Sequence, residues 1–286
     1  MPNMTGVSKQ DTSVDIKLLV LDIDGTIAGE SNTISSTVKL AVAAAAAQGV
    51  QVAIATGRMY HSALRFHQEL GSQLPLIAYQ GAWIQNPLDQ KLHRHWPVAK
   101  ETVAQLLDYF EQPQLRHLLS VHLYIHDQLY VREITPETQS YGERSGIMPI
   151  PVGDLRSLTD EPTKVLALCD DTDLIERLLL DLRRQYKSET LYLTKSVATF
   201  LEAANPLVNK ATGVRYLTEE LLGLTRDNVM AIGDNFNDLE MLDYAGIGVA
   251  MGNAPAQVRE SAFWVAPTVE EDGAAVAIRK FILKYE

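Results

Sequence analysis

Two aspartates one residue apart, Asp22 and Asp24, close the apolar run Ile16-Lys17-Leu18-Leu19-Val20-Leu21 and are followed by Gly25 and Thr26. Such a run reads as a strand buried on both faces. Side chains alternate along a strand, so both carboxylates point the same way. Like charges this close raise each other's pKa unless a cation lies between them. A solvated Asp-Gly turn would carry the same five residues, so the pair alone does not specify chemistry. Three later stretches add to it. Val50 to Ala55 reads as a second strand and ends in Thr56-Gly57-Arg58. A hydroxyl and free amides there, at the start of a helix, form an anion site. Lys210 opens another helix. The strand Val229 to Ile232 leads into Gly233-Asp234-Asn235-Phe236-Asn237-Asp238.

Clustered carboxylates call for a hard divalent cation with oxygen ligands, and Mg2+ suits a site where a phosphate also contributes. In such a site one carboxylate attacks phosphorus. A second gives a proton to the leaving oxygen and later takes one from water. The metal, Lys210, Thr56 and backbone N–H groups offset the charge on the transferring group.

The elements that must position these residues follow from the pattern around them. The alanine-rich run Val38 to Gln48, capped by Ser35 or Ser36 and closed by Gly49, is a slim helix between the first two strands. Strand–helix–strand at these lengths implies a parallel βαβ unit. Leu76 to Tyr79 reads as a third strand, and Asn86-Pro87-Leu88-Asp89 as the tip of a hairpin reaching Trp96. The texture then changes. Val98 to Glu111 has an amphipathic pattern, Ser120 to Glu133 alternates as a hairpin, and Thr135 to Pro162 is a loose Gly- and Pro-containing region. A strand near Val165, a helix over Asp173 to Tyr186 and two further strands follow. The first pattern resumes at Asn209. The expected fold is α/β: a doubly wound, Rossmann-like parallel-sheet core with an inserted α+β cap domain. Residues 1–15 are expected to be a flexible tail, 16–85 and 204–286 the core, and 86–203 the cap. In an open parallel sheet, ligands bind beyond the carboxyl ends of the strands, where Asp22, Asp24, Thr56 and Asp234 all fall.

Composition limits the alternatives. The chain has 286 residues, 46% apolar and 21% charged, in keeping with a soluble globular protein. A net charge of −11 argues against nucleic acid or an anionic membrane as partner. Any attraction for phosphate must therefore be local. Cys169 is the only cysteine, which excludes a disulfide framework and a cysteine metal cluster, and it reads as a buried, inert thiol. No apolar run is long enough to span a bilayer, and the first residues lack a signal-peptide core, so a cytoplasmic location is expected. His93 and His95 alternate on a strand, but nothing near them completes a metal site, and they read as packing residues. Tyr141, Glu143 and Arg144, in the loose part of the insert, could close over a substrate or simply be an exposed loop.

The sequence closely resembles the haloacid dehalogenase superfamily of phosphohydrolases, in its Cof-type branch with a large inserted cap. Asp22-Ile23-Asp24-Gly25-Thr26 matches the nucleophile loop, Ala55-Thr56-Gly57-Arg58 the second motif, Lys210 the third, and Gly233 to Asp238 the fourth. Ala245 to Ala254 and Glu271-Asp272-Gly273 resemble the tail of that branch. The resemblance implies that Asp22 is the nucleophile and Asp24 the acid/base. It implies that Asp22, the backbone carbonyl of Asp24 and Asp234 hold Mg2+, with Asn237 and Asp238 orienting them. Thr56, Gly57 and Lys210 would bind the phosphate; Arg58, Gln80 and Gly81 are possible substrate contacts. Two departures stand out: Gln80-Gly81-Ala82 replaces the usual Asn-Gly-Ala, and Lys210-Ala211 replaces Lys-Gly. The implied activity is Mg2+-dependent hydrolysis of a small phosphorylated metabolite, a sugar phosphate or a phosphorylated cofactor. A phosphoryl transferase or mutase would use the same intermediate. A non-catalytic binder of a phosphorylated ligand would have little use for an acid beside the nucleophile.

Overall fold

The computed structural model describes residues 15–158 and 160–284. Nearly all of the expected tail lies outside them. The chain opens with β1 (Leu18–Leu21), whose four side chains are all fully buried, as a strand covered on both faces requires. Helix α1 (Ser36–Ala47) follows, its first turn capped by the Ser35 hydroxyl, and its alanines let it lie close to the sheet. Then come β2 (Gln51–Ile54), α2 (Tyr60–Glu69) and β3 (Leu76–Ala78). The hairpin β4 (Trp83–Gln85) and β5 (Leu92–His95) pairs antiparallel with β3.

The inserted segment begins with α3 (Lys100–Phe110), β6 (Ser120–Ile125) and β7 (Gln128–Val131). The region expected to be loose contains a helix, α4 (Pro136–Ser145). Thr135 caps it, Pro136 starts it and Gly146, in the left-handed region, ends it. Its sequence, PETQSYGERS, lacks an apolar stripe, so these end signals were the only trace of it. Next are β8 (Ile150–Pro151), β9 (Lys164–Leu168), α5 (Thr172–Gln185), β10 (Tyr192–Thr194) and β11 (Phe200–Ala204). The last part of the chain supplies α6 (Lys210–Arg215), which runs on into a π-helical turn at Tyr216–Leu221, then β12 (Val229–Gly233) and α7 (Leu239–Tyr244). It ends with β13 (Ile247–Ala250), α8 (Ala256–Ser261), β14 (Trp264–Val265) and α9 (Gly273–Ile278).

The core sheet is parallel, in the order β14-β13-β12-β1-β2, and a single parallel bridge from Ala55 to Ile77 carries it on to β3. The strands β1 and β12, which end in the aspartate motifs, are neighbours, with Leu21 opposite Ile232. Their carboxyl ends therefore sit side by side although they are far apart in sequence. The second sheet is mostly antiparallel, in the order β10-β11-β9-β6-β7-β8. Strand alternation divides it cleanly. Val121, Leu123, Val165, Ala167, Leu201 and Ala203 share one buried cluster with the apolar faces of α3 and α5. The alternate positions, including Tyr124 and Leu166, join the cluster of the core sheet. The second sheet thus lies over the carboxyl ends of the first with one face exposed to the site. Among the described residues, no helix is long and apolar enough to cross a membrane.

Candidate active site

Asp22 follows β1, and its N–H donates to Ile232 O at 3.0 Å, continuing the pairing with β12. The chain then turns at Gly25, where φ is +74°, and a Cβ there would lie 2.1 Å from Asp234 Oδ2. Glycine is therefore required both by the backbone and by the close approach of the second aspartate loop. Asn253 Nδ2 joins the two loops, donating to Gly25 O at 2.9 Å and to Asp234 Oδ2 at 3.3 Å.

Asp238 holds the second loop in shape. Its Oδ2 accepts from the N–H groups of Asp234 at 2.9 Å and Asn235 at 3.0 Å. Its Oδ1 accepts from Lys210 Nζ at 2.6 Å. Lys210 is the first residue of α6, whose entry is fixed by a reciprocal cap between Asn209 and Thr212. Its ammonium is buried and also lies 2.7 Å from Asp22 Oδ1. Asp22, Asp234 and Asp238 each bring one oxygen within 4.8 Å of the others.

The charges here do not balance. Burial pushes Asp22 up to about 7 despite the pull of Lys210, with Asp238 and Asp24 adding to the rise. Burial, then Asp22 and Asp238, push Asp234 up to about 8. Burial alone would lower Lys210, but Asp22 and Asp238 outweigh it and raise its pKa. One lysine is too little cation for three buried carboxylates. Both oxygens of Asp238 already have donors, which leaves Asp22 and Asp234 to face an added ion. An all-oxygen set of this kind fits a hard divalent cation such as Mg2+.

Asp24 is placed differently. Arg58 Nε donates to its Oδ2 at 2.8 Å and Arg58 Nη2 to its Oδ1 at 2.6 Å. Burial would raise its pKa, but the Arg58 hydrogen bonds and charge, with Arg144 and Lys210 behind them, hold it low. Arg58 Nη2 also donates to Asn32 Oδ1 at 2.6 Å. Thr56 is fully buried at the end of β2, and its Oγ1 accepts the N–H of Arg58 at 3.2 Å. That leaves the hydroxyl hydrogen free for another acceptor.

The expected site residues therefore fall into three groups. Asp22, Asp24, Thr56, Gly57, Arg58, Asp234 and Asn237 line a common cleft of about 450 Å3. Lys210 and Asp238 stand directly behind it. Gln80 and Gly81 do not line it. Gln80 is buried at a φ of +60°, and its Oε1 accepts from Asn237 Nδ2 at 3.1 Å. A Cβ on Gly81 would lie 2.5 Å from Asn209 O, so this turn braces the start of α6. His93 and His95 pack in the hairpin region, against Tyr216 and Thr163. Cys169 is buried, as expected.

The far wall comes from the inserted sheet and α4: Ser140, Tyr141, Arg144, Lys164, Thr199 and Phe200. Asn235 Nδ2 donates to Ser196 O at 2.7 Å, and Asn32 Nδ2 to Arg144 O at 2.9 Å, so both walls are tied across the cleft. Asp127, at the tip of the β6–β7 hairpin, accepts from His61 N–H at 2.8 Å and Tyr79 Oη at 2.7 Å. Sequence reasoning missed Lys164 and Glu202, which form a buried pair at 3.0 Å. Their signal was a lone charge within each of two strands that otherwise read as apolar.

The profile of the haloacid dehalogenase-like hydrolases matches residues 19–278, and the chain belongs to that family. It is 30% identical over 275 residues to the Bacillus subtilis 5-amino-6-(5-phospho-D-ribitylamino)uracil phosphatase YitU, covering 92% of this chain and 97% of the relative. A second B. subtilis phosphatase of the same description, YcsE, is 31% identical, covering 97% of this chain and all of the relative. Among solved structures, a haloacid dehalogenase-like hydrolase from Bacteroides thetaiotaomicron superposes with a TM-score of 0.80 at 28% identity, covering 93% of this chain and 99% of that one.

Proposed function

We propose that this chain, a phosphatase of the haloacid dehalogenase-like family, hydrolyses small phosphate monoesters with the help of Mg2+, using Asp22 as nucleophile. The observation that carries the reading is the convergence of Asp22, Asp234 and Asp238, one oxygen of each within 4.8 Å of the others, with the Lys210 ammonium bridging Asp22 and Asp238 at the floor of the cleft. Asp22 and Asp234 would hold the metal ion, which when bound offsets the charge of the phosphoryl oxygens.

Asp22 Oδ attacks phosphorus, the P–O bond to the leaving group breaks, and an aspartyl-phosphate forms. Lys210 keeps Asp22 positioned through the contact at 2.7 Å. The Thr56 hydroxyl and the Gly57 N–H donate to the phosphoryl oxygens. Asp24 serves the proton. In the arrangement described above Arg58 keeps it ionised, which is the form that takes a proton from the water attacking the aspartyl-phosphate. A phosphoryl group entering the cleft competes for the same guanidinium. Once those two hydrogen bonds turn to phosphate, the carboxyl of Asp24 is free to hold a proton and give it to the leaving oxygen.

The cleft volume and its hydroxyl-bearing and aromatic wall suit a leaving group larger than a simple alcohol. A sugar phosphate or a phosphorylated cofactor precursor fits, and the phosphoribitylamino-uracil named for the two B. subtilis relatives is the first compound to try. The test is hydrolysis of p-nitrophenyl phosphate and of a panel of phosphorylated metabolites, by the parent and by Asp22→Asn, with and without Mg2+. The variant is expected to lose activity by at least about 1000-fold, well within the roughly million-fold cost of removing a triad nucleophile. Near-parental turnover by it would end the assignment.

A further inference from the structure

The turn Thr56–Gly57–Arg58 carries three carbonyls, and each has one donor. Thr56 O accepts from Gln80 N–H at 2.9 Å and Arg58 O from Tyr79 N–H at 2.9 Å, both within the core. Gly57 O accepts from Lys164 Nζ at 3.1 Å, which comes from the inserted sheet. We propose that Lys164 is a positioning residue for phosphate binding: from the cap it sets the Gly57–Arg58 peptide and, through it, the Thr56 hydroxyl. The proposal rests on the phosphatase reading for the role of Thr56, and deepens it by giving the cap a part in holding phosphate.

The geometry runs as a chain of fixed contacts. The peptide is trans, so its C=O and N–H point to opposite sides. With the C=O held by Lys164, the N–H of Arg58 is turned onto Thr56 Oγ1, where it donates at 3.2 Å. That bond occupies an acceptor position of the hydroxyl and aims its hydrogen elsewhere, toward an oxyanion in the cleft. Lys164 itself has little freedom. It is 3% exposed, at an inward position of β9 opposite Tyr124 and Ala204. Its Nζ donates to Glu202 Oε2 at 3.0 Å and sits 4.8 Å from the centre of the Tyr124 ring. Glu202, 1% exposed, is in turn hydrogen-bonded by the Ser196 hydroxyl, and Ser196 O accepts from Asn235 beside Asp234. A lysine that served only to stabilise the cap would need Glu202 but not a carbonyl of the opposite wall.

Removing Lys164 alone would strand Glu202 in the interior, so the pair is replaced together, as Lys164→Met with Glu202→Gln. Two readouts separate the proposal from the reading beneath it. The first is calorimetric binding of orthophosphate in the presence of Mg2+, which needs no turnover. The double variant is expected to bind about 10-fold more weakly or worse, the size of one charge-assisted hydrogen bond, with an unchanged melting temperature for the metal-free form. The second is a cycle with Thr56→Ala on p-nitrophenyl phosphate. If Lys164 acts through Thr56, adding the pair replacement to Thr56→Ala costs less than about 2-fold more in kcat/KM. Equal phosphate binding by parent and double variant overturns the proposal, and so do losses that multiply independently. A parent that binds phosphate in a Lys164-dependent way but hydrolyses no ester refutes the phosphatase reading and leaves this one standing. A parent that does not bind phosphate at all overturns both.

Discussion

Replacing Lys210 by Met keeps most of the side-chain volume and removes the charge on which the aspartate cluster depends. Lys210 is 1% exposed, 2.7 Å from Asp22 and 2.6 Å from Asp238. At an effective dielectric of about 20, each such pair is worth roughly 6 kcal/mol before desolvation is counted. Most of that is cancelled by the cost of burying the ions. Stranding the acids is expected to cost about 3–5 kcal/mol. The sign with pH follows from the two raised aspartates. Their pKa values in the folded protein, about 7 for Asp22 and about 8 for Asp234, lie above the ordinary carboxylate value. The folded state therefore holds more protons than the unfolded one between pH 4 and 8, and their effect is to lower stability as pH rises through that window. Loss of Lys210 raises both further, so the variant's deficit is larger at pH 8 than at pH 5.5. Urea titrations in EDTA at the two pH values measure it. Added Mg2+ is expected to recover part of the deficit at pH 8, because the ion replaces the missing cation. A deficit that is the same at both pH values and indifferent to Mg2+ would refute the electrostatic account of the site.

Two further outcomes follow from the same geometry. Saturating Mg2+ at about 100 times its dissociation constant adds about 2.7 kcal/mol to stability, or roughly 5 °C in melting temperature. At one fixed Mg2+ concentration the rise is expected to be larger at pH 8 than at pH 5.5, where protons hold Asp22 and Asp234 and weaken binding; calorimetry at both pH values checks it. Gly25→Ala places a methyl group 2.1 Å from Asp234 Oδ2 in a left-handed turn, and is expected to weaken Mg2+ binding by at least about 10-fold, measured by titration calorimetry.

How much of this was legible in the sequence depended on the range of the signal. β1 and β12, and β2 after its exposed first residue Gln51, are buried on both faces and apolar, so their ends, and the residues just beyond, could be read directly. The parallel order then places Asp22 and Asp234 together with no further information. Helix α4 was hidden because it is polar nearly all round, and only its Thr135 cap, Pro136 and Gly146 mark it. The bracing role of Gln80 and Gly81 was also out of reach. Both sit one turn after β3, where a substrate contact and a buried brace have the same sequence; only the position of Asn209 O separates them. Arg58, expected as a possible substrate contact, pairs in the structure with Asp24. Lys164 shows a different limit. Its partner groups, Glu202 and the carbonyl of Gly57, lie 38 and 107 residues away, and nothing local to β9 points to either.

The acidic balance of the whole chain becomes intelligible at the scale of the cleft. Asp22, Asp24, Asp234 and Asp238, if all ionised, outnumber Lys210, Arg58 and Arg144, the cations paired with them, by one charge. A phosphate dianion would meet net repulsion there, and a single divalent cation removes the excess. Under the proposed reading, charge would have the metal bind before the phosphate. Lys164 adds no net charge because Glu202 accompanies it into the interior. Its effect is directional, through the carbonyl of Gly57. The ring centres of Tyr79 and Tyr124 lie 5.9 and 4.8 Å from its ammonium. A net charge of −11 is no obstacle to an anionic substrate when the attraction is confined to a lysine, a few oriented donors and the metal the proposed reading adds within one cleft.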